Sequence, residues 1–103
     1  MSGAPLKNLD EQVWQKTDTA RFWIKPAFRN EKGLETTLMK MDAGAFVGSH
    51  THDKFEQIYV LSGSFYDDDA EYVAGDFLVR EAGSPHSAAS RDGATMMLIY
   101  SPV

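Results

Sequence analysis

The chain has no cysteine, so disulfides and thiolate metal sites are excluded. That composition suits a cytoplasmic location. No window approaches eighteen consecutive apolar residues, so no membrane-spanning helix is expected. The opening stretch, Met1-Ser2-Gly3-Ala4-Pro5-Leu6-Lys7-Asn8, lacks the apolar core of a signal peptide. Basic charge is scarce: 10 Lys and Arg stand against 15 Asp and Glu, a formal net charge of −5. With no basic patch, nucleic acid is excluded as a direct partner. A glycine-rich phosphate loop is missing too, so no nucleotide cofactor is expected. At 103 residues the chain makes one domain. A domain of that size buries about 60–65% of the surface its unfolded form exposes, and a metal or a partner subunit would reinforce so modest a core.

What is present reads as short strands separated by turns. Residues 1–19 are polar, with isolated Leu6, Leu9, Val13 and Trp14, and form an N-terminal arm; residues 20–103 form the folded domain. Arg21 to Phe28 is strand-like, with Pro26 marking an edge or a bend. Leu34 to Met41 follows a turn at Asn30-Glu31-Lys32-Gly33. Phe55 to Leu61 is apolar, β-branched and aromatic, and is expected at the centre of a sheet. Ser64 to Tyr66 and Glu71 to Val73 flank Asp67-Asp68-Asp69-Ala70, expected as a solvated hairpin tip. Along Asp76 to Arg80, Phe77 and Val79 share one face. Asp92-Gly93 is a turn dipeptide, and Thr95 to Tyr100 is a final apolar strand. Many short strands and no helical stretch of useful length predict an all-β barrel or sandwich.

Histidine occurs three times, at His50, His52 and His86. His50 and His52 are two apart, so on a strand both rings share a face. Glu56 follows closely. Imidazole nitrogen and carboxylate oxygen together suit zinc, iron, manganese, nickel or cobalt. His50, His52, Glu56 and His86 are therefore the candidate metal ligands and, through the metal, the candidate catalytic residues. Glu56 has an alternative role, accepting a hydrogen bond from a ligand histidine's other nitrogen. The Asp67-Asp68-Asp69 run lacks the length and the closing glutamate of a calcium loop.

The run from Gly44 through His50, His52 and Glu56 to Gly63 has the form G-x5-H-x-H-x3-E-x6-G, which resembles the first cupin motif without departure. Gly75, Gly83 and His86 resemble the second motif in order. There Glu81 stands in place of a proline and Ser90 in place of an asparagine. The text around Glu56–Asp68 and Tyr72–Phe77 is similar to the ChrR-like cupins, a group that includes the metal-binding domain of certain anti-sigma factors and the acetylacetone-cleaving dioxygenases. The resemblance covers roughly residues 20–100. It implies a cupin-type double-stranded β-helix, a jelly-roll barrel, with one divalent transition metal per chain.

Phe46, Phe55, Ile58, Val60, Phe65, Phe77, Met39, Met97 and Ile99 are expected in the barrel core. If Glu56 points inward, strand parity turns Ile58 and Val60 inward with it; if His50 does, so does Phe46, absent a bulge. Phe46, Ile58, Val60 and Met39 are thus the candidate lining of a substrate pocket beside the metal. Arg80 and Arg91 are expected at the surface, with contact to an anionic substrate as the alternative. Tyr59 and Tyr100 are candidate hydrogen-bond donors near the metal, and Trp14 and Trp23 stay open between core, lid and dimer contact.

Two functions stand. Four ligands on a six-coordinate Fe(II) leave two positions open, as in non-haem iron oxygenases. The resemblance then implies a dioxygenase acting on a small diketone-like or aromatic ketone substrate, with iron as the first expectation and zinc, manganese or nickel as the others. The same ligands around zinc close a tetrahedron, which fits a non-catalytic sensor or interaction domain like the anti-sigma cupins. Those proteins carry an N-terminal sigma-binding domain with zinc ligands, which the 20 or so residues before the barrel do not match. Metal-dependent isomerisation is a third possibility, since fold does not fix chemistry. The enzyme reading is preferred. A small-molecule partner is expected, with a homodimer in which the arm exchanges between subunits, as the resemblance to small cupins implies; a monomer with the arm folded back is the alternative.

Overall fold

The computed structural model describes residues 8–103; Leu6 of the expected arm lies outside them. Asn8 caps a single 3-10 turn, Leu9–Glu11, by accepting the Asp10 N–H. Nine strands follow: β1 (Gln15–Lys16), β2 (Phe22–Arg29), β3 (Glu35–Met41), β4 (Phe46–His50), β5 (Phe55–Tyr66), β6 (Glu71–Val73), β7 (Phe77–Arg80), β8 (His86–Ala89) and β9 (Ala94–Ser101). No α-helix occurs among the described residues. The sheet runs β1-β2-β3-β9-β5-β8-β4, with β6 and β7 also paired to β5. It curls on itself, giving the all-β barrel expected.

Strand β5 is the axle of this arrangement. Its first part, Phe55 to Gly63, pairs with β9 on one side, and Glu56 to Tyr59 pair with β7 on the other. Its last part, Ser64 to Tyr66, pairs with β6 and touches β8 in the opposite wall. The two pieces expected as separate strands are therefore one strand that bends. The bend sits at a register shift between Val60 and Ser62, and bulges of this kind sharpen strand curvature. Gly63 holds φ +72°, and a Cβ there would collide with the Gly93 carbonyl oxygen. The final glycine of the first motif is thus required by the corner that closes the barrel. Pro26 also falls where expected for a bend: the β2–β3 register shifts between Pro26 and Phe28.

The arm is not detached. β1 pairs with β2, and Lys25 Nζ donates to the Leu9 carbonyl at 2.9 Å. Lys25 and Lys40 lie over the Trp14 ring, while Trp23 Nε1 donates to Asp42 at 2.8 Å.

The core fills the closed end of the barrel with Phe22, Met41, Val60, Phe65, Ala94, Met96 and Leu98, and Met41, Phe65, Met96 and Leu98 among them also wall the cavity that reaches up to the histidines. Fully burying a side chain such as Phe65 or Met96 stabilises the fold by about 1.5–3 kcal/mol each. Several inward expectations need correction. On β9 the inner face carries Ala94, Met96 and Leu98, so Met97 and Ile99 lie on the other face, half-buried. On β7 the exposed residues are Phe77 and Val79, and Leu78 with Arg80 turn inward. In each strand both faces hold large apolar side chains, so hydrophobicity does not choose the face; the register against β5 does.

Candidate metal centre

The histidines converge at the open end of the barrel. His50 ends β4 and His86 begins β8, and the two are direct cross-strand partners. His52 lies beyond the strand, in the loop leading to β5, where its carbonyl accepts the Gly83 N–H at 2.7 Å. This bond ties the His52 loop to the turn that carries His86. The ring centroids stand 4.5 Å apart for His50–His86, and 4.9 Å apart for His50–His52 and His52–His86. One nitrogen from each ring falls within 4.8 Å of the others, spacing that admits a single ion.

Backbone contacts orient two of the rings. His50 Nδ1 donates to the Gly48 carbonyl at 2.8 Å, and His86 Nδ1 to the Ser84 carbonyl at 3.2 Å. Each bond places the proton on Nδ1 and leaves the Nε2 lone pair for a metal. Burial lowers the His86 pKa, and the Arg80 guanidinium adds to that effect. Both effects favour the neutral ring, the form in which a histidine ligates.

Glu56, second residue of β5, is inward and buried. Its Oε1 has no hydrogen-bond partner among the described residues. That oxygen lies 4.0 Å from His86 Nε2 and 3.6 Å from Arg80 Nε. A buried carboxylate oxygen without a donor carries a desolvation penalty. A cation among the three histidines would remove it, so the residues present fit a divalent metal. Glu56 stands outside the three-histidine set itself.

Two strand partners flank Glu56, and one of them, Tyr100, is the donor expected near the metal. Arg80 is its cross-strand neighbour on β7, and Tyr100 its neighbour on β9. The Arg80 side chain is only 10% exposed, contrary to its expected surface role. Its guanidinium donates to Asp67 Oδ2 at 3.0 Å, and the Tyr72 hydroxyl donates to the same oxygen at 2.9 Å. Burial works against the Asp67 carboxylate, but the Asp69 and Ala70 N–H groups, Tyr72 and Arg80 together hold its pKa below the usual value. Burial and the Asp67 charge push the Tyr72 hydroxyl up to about 12. Burial, reinforced by the Glu56 charge, raises Tyr100 as well. Asp67 is thus a structural anion and not part of a solvated tip, although Asp68 and Asp69 are exposed as expected. Arg91 does lie at the surface, paired with Glu71 at 3.2 Å, and Tyr59 faces outward.

The histidines and Glu56 open onto a cavity of about 190 Å³ lined by Met39, Met41, Val47, Ile58, Phe65, Met96 and Leu98, with Arg80 and Tyr100 at the polar end. Ile58 and Met39 line it as expected. Val60 is fully buried behind it, in the core. Phe46 does not line it and is 66% exposed. The reason is a register shift in β4 between Val47 and His50, which turns Val47 inward in its place. Thr17 and Thr19 from the arm also line the cavity; nothing in their local sequence marked them, since only the β1–β2 pairing carries them there.

Residues 4–103 match the ChrR Cupin-like domain family. The chain belongs to that family. No curated protein matches it. Among solved structures, an RmlC-like cupin from Shewanella frigidimarina NCIMB 400 aligns with TM-score 0.85 at 19% identity, over 98% of this chain and 93% of its own. A protein of unknown function with a cupin-like fold from Ralstonia eutropha JMP134 aligns with TM-score 0.72 at 22% identity, over 78% of this chain and 54% of its own. A chain from the complex of Rhodobacter sphaeroides SigE with the anti-sigma ChrR aligns with TM-score 0.75 at 20% identity, over 90% of this chain and 50% of its own. This ChrR-like cupin therefore spans about half the length of the last two. At these identities the likeness shows the fold. In that complex the anti-sigma ChrR is bound to SigE. No helix of the described residues is long and apolar enough to cross a membrane.

Proposed function

We propose that this ChrR-like cupin is a mononuclear metal-dependent oxidoreductase of the dioxygenase type, acting on a small diketone-like or aromatic ketone substrate. The observation that carries the reading is the unpartnered Glu56 oxygen facing three histidines at the mouth of an apolar cavity. His50, His52 and His86 would hold the metal, with Glu56 beside them. Divalent iron bound there would supply Lewis acidity and a template for dioxygen. The chain supplies the rest. The Gly48 and Ser84 carbonyls fix the His50 and His86 rings. Ile58, Met96 and Leu98 keep water from the substrate body. The cavity is small beside the roughly 300–1,000 Å³ of drug-sized pockets, which favours a compact substrate. Arg80 and Tyr100 place one cationic and one neutral donor near the metal, where an oxygen-bearing head group would lie. A cytoplasmic homodimer belongs to the same proposal.

The test is anaerobic loading with Fe(II), exposure to nitric oxide and electron paramagnetic resonance. A strong high-spin iron–nitrosyl signal, with dioxygen uptake on adding a small β-diketone and loss of both in His86→Ala, is the expected result. Stoichiometric metal with no nitrosyl signal would overturn the reading. It would favour the second one, a metal-binding sensor or interaction domain. That alternative has its own support in Tyr59, Leu61, Phe77 and Val79, large side chains exposed along the outer face of β5 and β7.

A further inference from the structure

Arg80 is an unusual neighbour for a metal site. It is a permanent cation, buried against the carboxylate that faces the histidines. Three charged side chains share this end of the barrel: Glu56, Arg80 and Asp67. The contacts around Arg80 are unequal. To Asp67 the guanidinium makes a hydrogen bond of 3.0 Å. Toward Glu56 it stands at 3.6 Å, too far for one. Asp67 is itself fixed by the Asp69 and Ala70 N–H groups, at 2.8 and 2.9 Å, and by Tyr72. The Tyr72–Asp67 pair therefore draws Arg80 back, and Glu56 keeps one oxygen directed at the histidines without a donor.

We propose that Arg80 is a positioning residue that competes with the metal for Glu56, and that Asp67 sets the strength of that competition by holding the guanidinium away. The inference rests on the metal reading above. Without a metal, Arg80 is the nearby cation that keeps the buried Glu56 charge tolerable. With a metal held by the histidines, the free Glu56 oxygen would serve as a further ligand, while Arg80 keeps its pairing with Asp67. Asp67, though on the β5–β6 turn and absent from the histidine cluster, thus tunes the centre through Arg80.

The opposing directions of two substitutions make the idea testable. Asp67→Asn frees Arg80 to engage Glu56 fully, so metal affinity falls. The double variant Arg80→Met with Asp67→Asn leaves the same net charge as the native trio, because one cation and one anion leave together. Its Glu56 has no competitor, so it binds metal more tightly than the native protein, by about tenfold. Zn(II) affinity is measured by competition with a chromophoric chelator on the native chain, both variants, and each with Glu56→Gln added. In the Glu56→Gln background the differences are expected to collapse, since the coupling runs through that carboxylate. A purely structural Arg80 would lower stability without producing opposite shifts in affinity. Equal or weaker binding by the folded double variant, or unchanged binding by Asp67→Asn, overturns the inference. Should the double variant not fold, Asp67→Asn alone decides it. His86→Ala keeps the two hypotheses apart. If the native chain binds Zn(II) and His86→Ala does not, the metal reading stands whatever Arg80 does. If the native chain binds none, both fall.

Discussion

Strand β5 carries Glu56 at the open end of the barrel and Val60 at the closed end, on the same inward face, and the surroundings of the two could hardly differ more. Val60 is fully buried among Phe65, Ala94 and Met96. Glu56 is nearly as buried, yet meets Arg80, Tyr100 and His86 and leaves one oxygen without a donor. One end satisfies every physical preference of a protein interior. The other violates the rule that buried charge be fully paired. Folding energy resides at the closed end, and unspent binding capacity at the open one. This is how a small domain can hold a reactive site without losing its fold.

The comparison breaks most sharply at Phe65. Phe65→Ala should cost about 3–5 kcal/mol, read as a lowered urea midpoint. A loss below about 1 kcal/mol would mean the closed end does not carry the stability. At the open end, His86→Ala should cost the metal-free protein only about 1 kcal/mol. The native chain should gain about 2.7 kcal/mol at a metal concentration one hundred times its Kd, and His86→Ala should gain nothing. Thermal unfolding with and without Zn(II) compares the two.

The acid limb sharpens the same contrast. The Asp67 pKa is lower in the folded protein than its ordinary 3.8. Its stabilising contribution is therefore complete above that value and lost as pH falls through the folded one. Asp67→Asn removes the contribution at neutral pH and should flatten the acid limb, followed by urea midpoints across pH. An equally steep limb in the variant would remove Asp67 from the account. Smallest of all, Phe46→Ala should change stability by no more than about 0.5 kcal/mol, because its ring is largely in solvent. A cavity-sized loss there would contradict the bulge in β4.

Much of this was legible in advance for identifiable reasons. The spacing of His50, His52 and Glu56 places ligand atoms near one another because strands and tight loops are short-range objects. The turn glycines mark the corners, and Gly63 is dictated by the Gly93 carbonyl against it. The pattern of β7 presents Phe77 and Val79 as its more apolar face. The site needs the other face inward, and pairing of Glu56 with Arg80 decides it. Phe46 and Val47 exchanged places for a similar reason, since one extra residue in β4 inverts the alternation.

The sequence by itself determined the all-β class, the order of the turns and the pairing of His50 with His52, because each rests on local propensity or on a spacing of a few residues, and the resemblance to the second motif marked His86. Tertiary structure alone decided which faces point inward, and so set Arg80 between Glu56 and Asp67. The reason is physical: strand register and bulges are set by pairing between residues far apart in the chain, and a shift of one position moves every side chain to the opposite face.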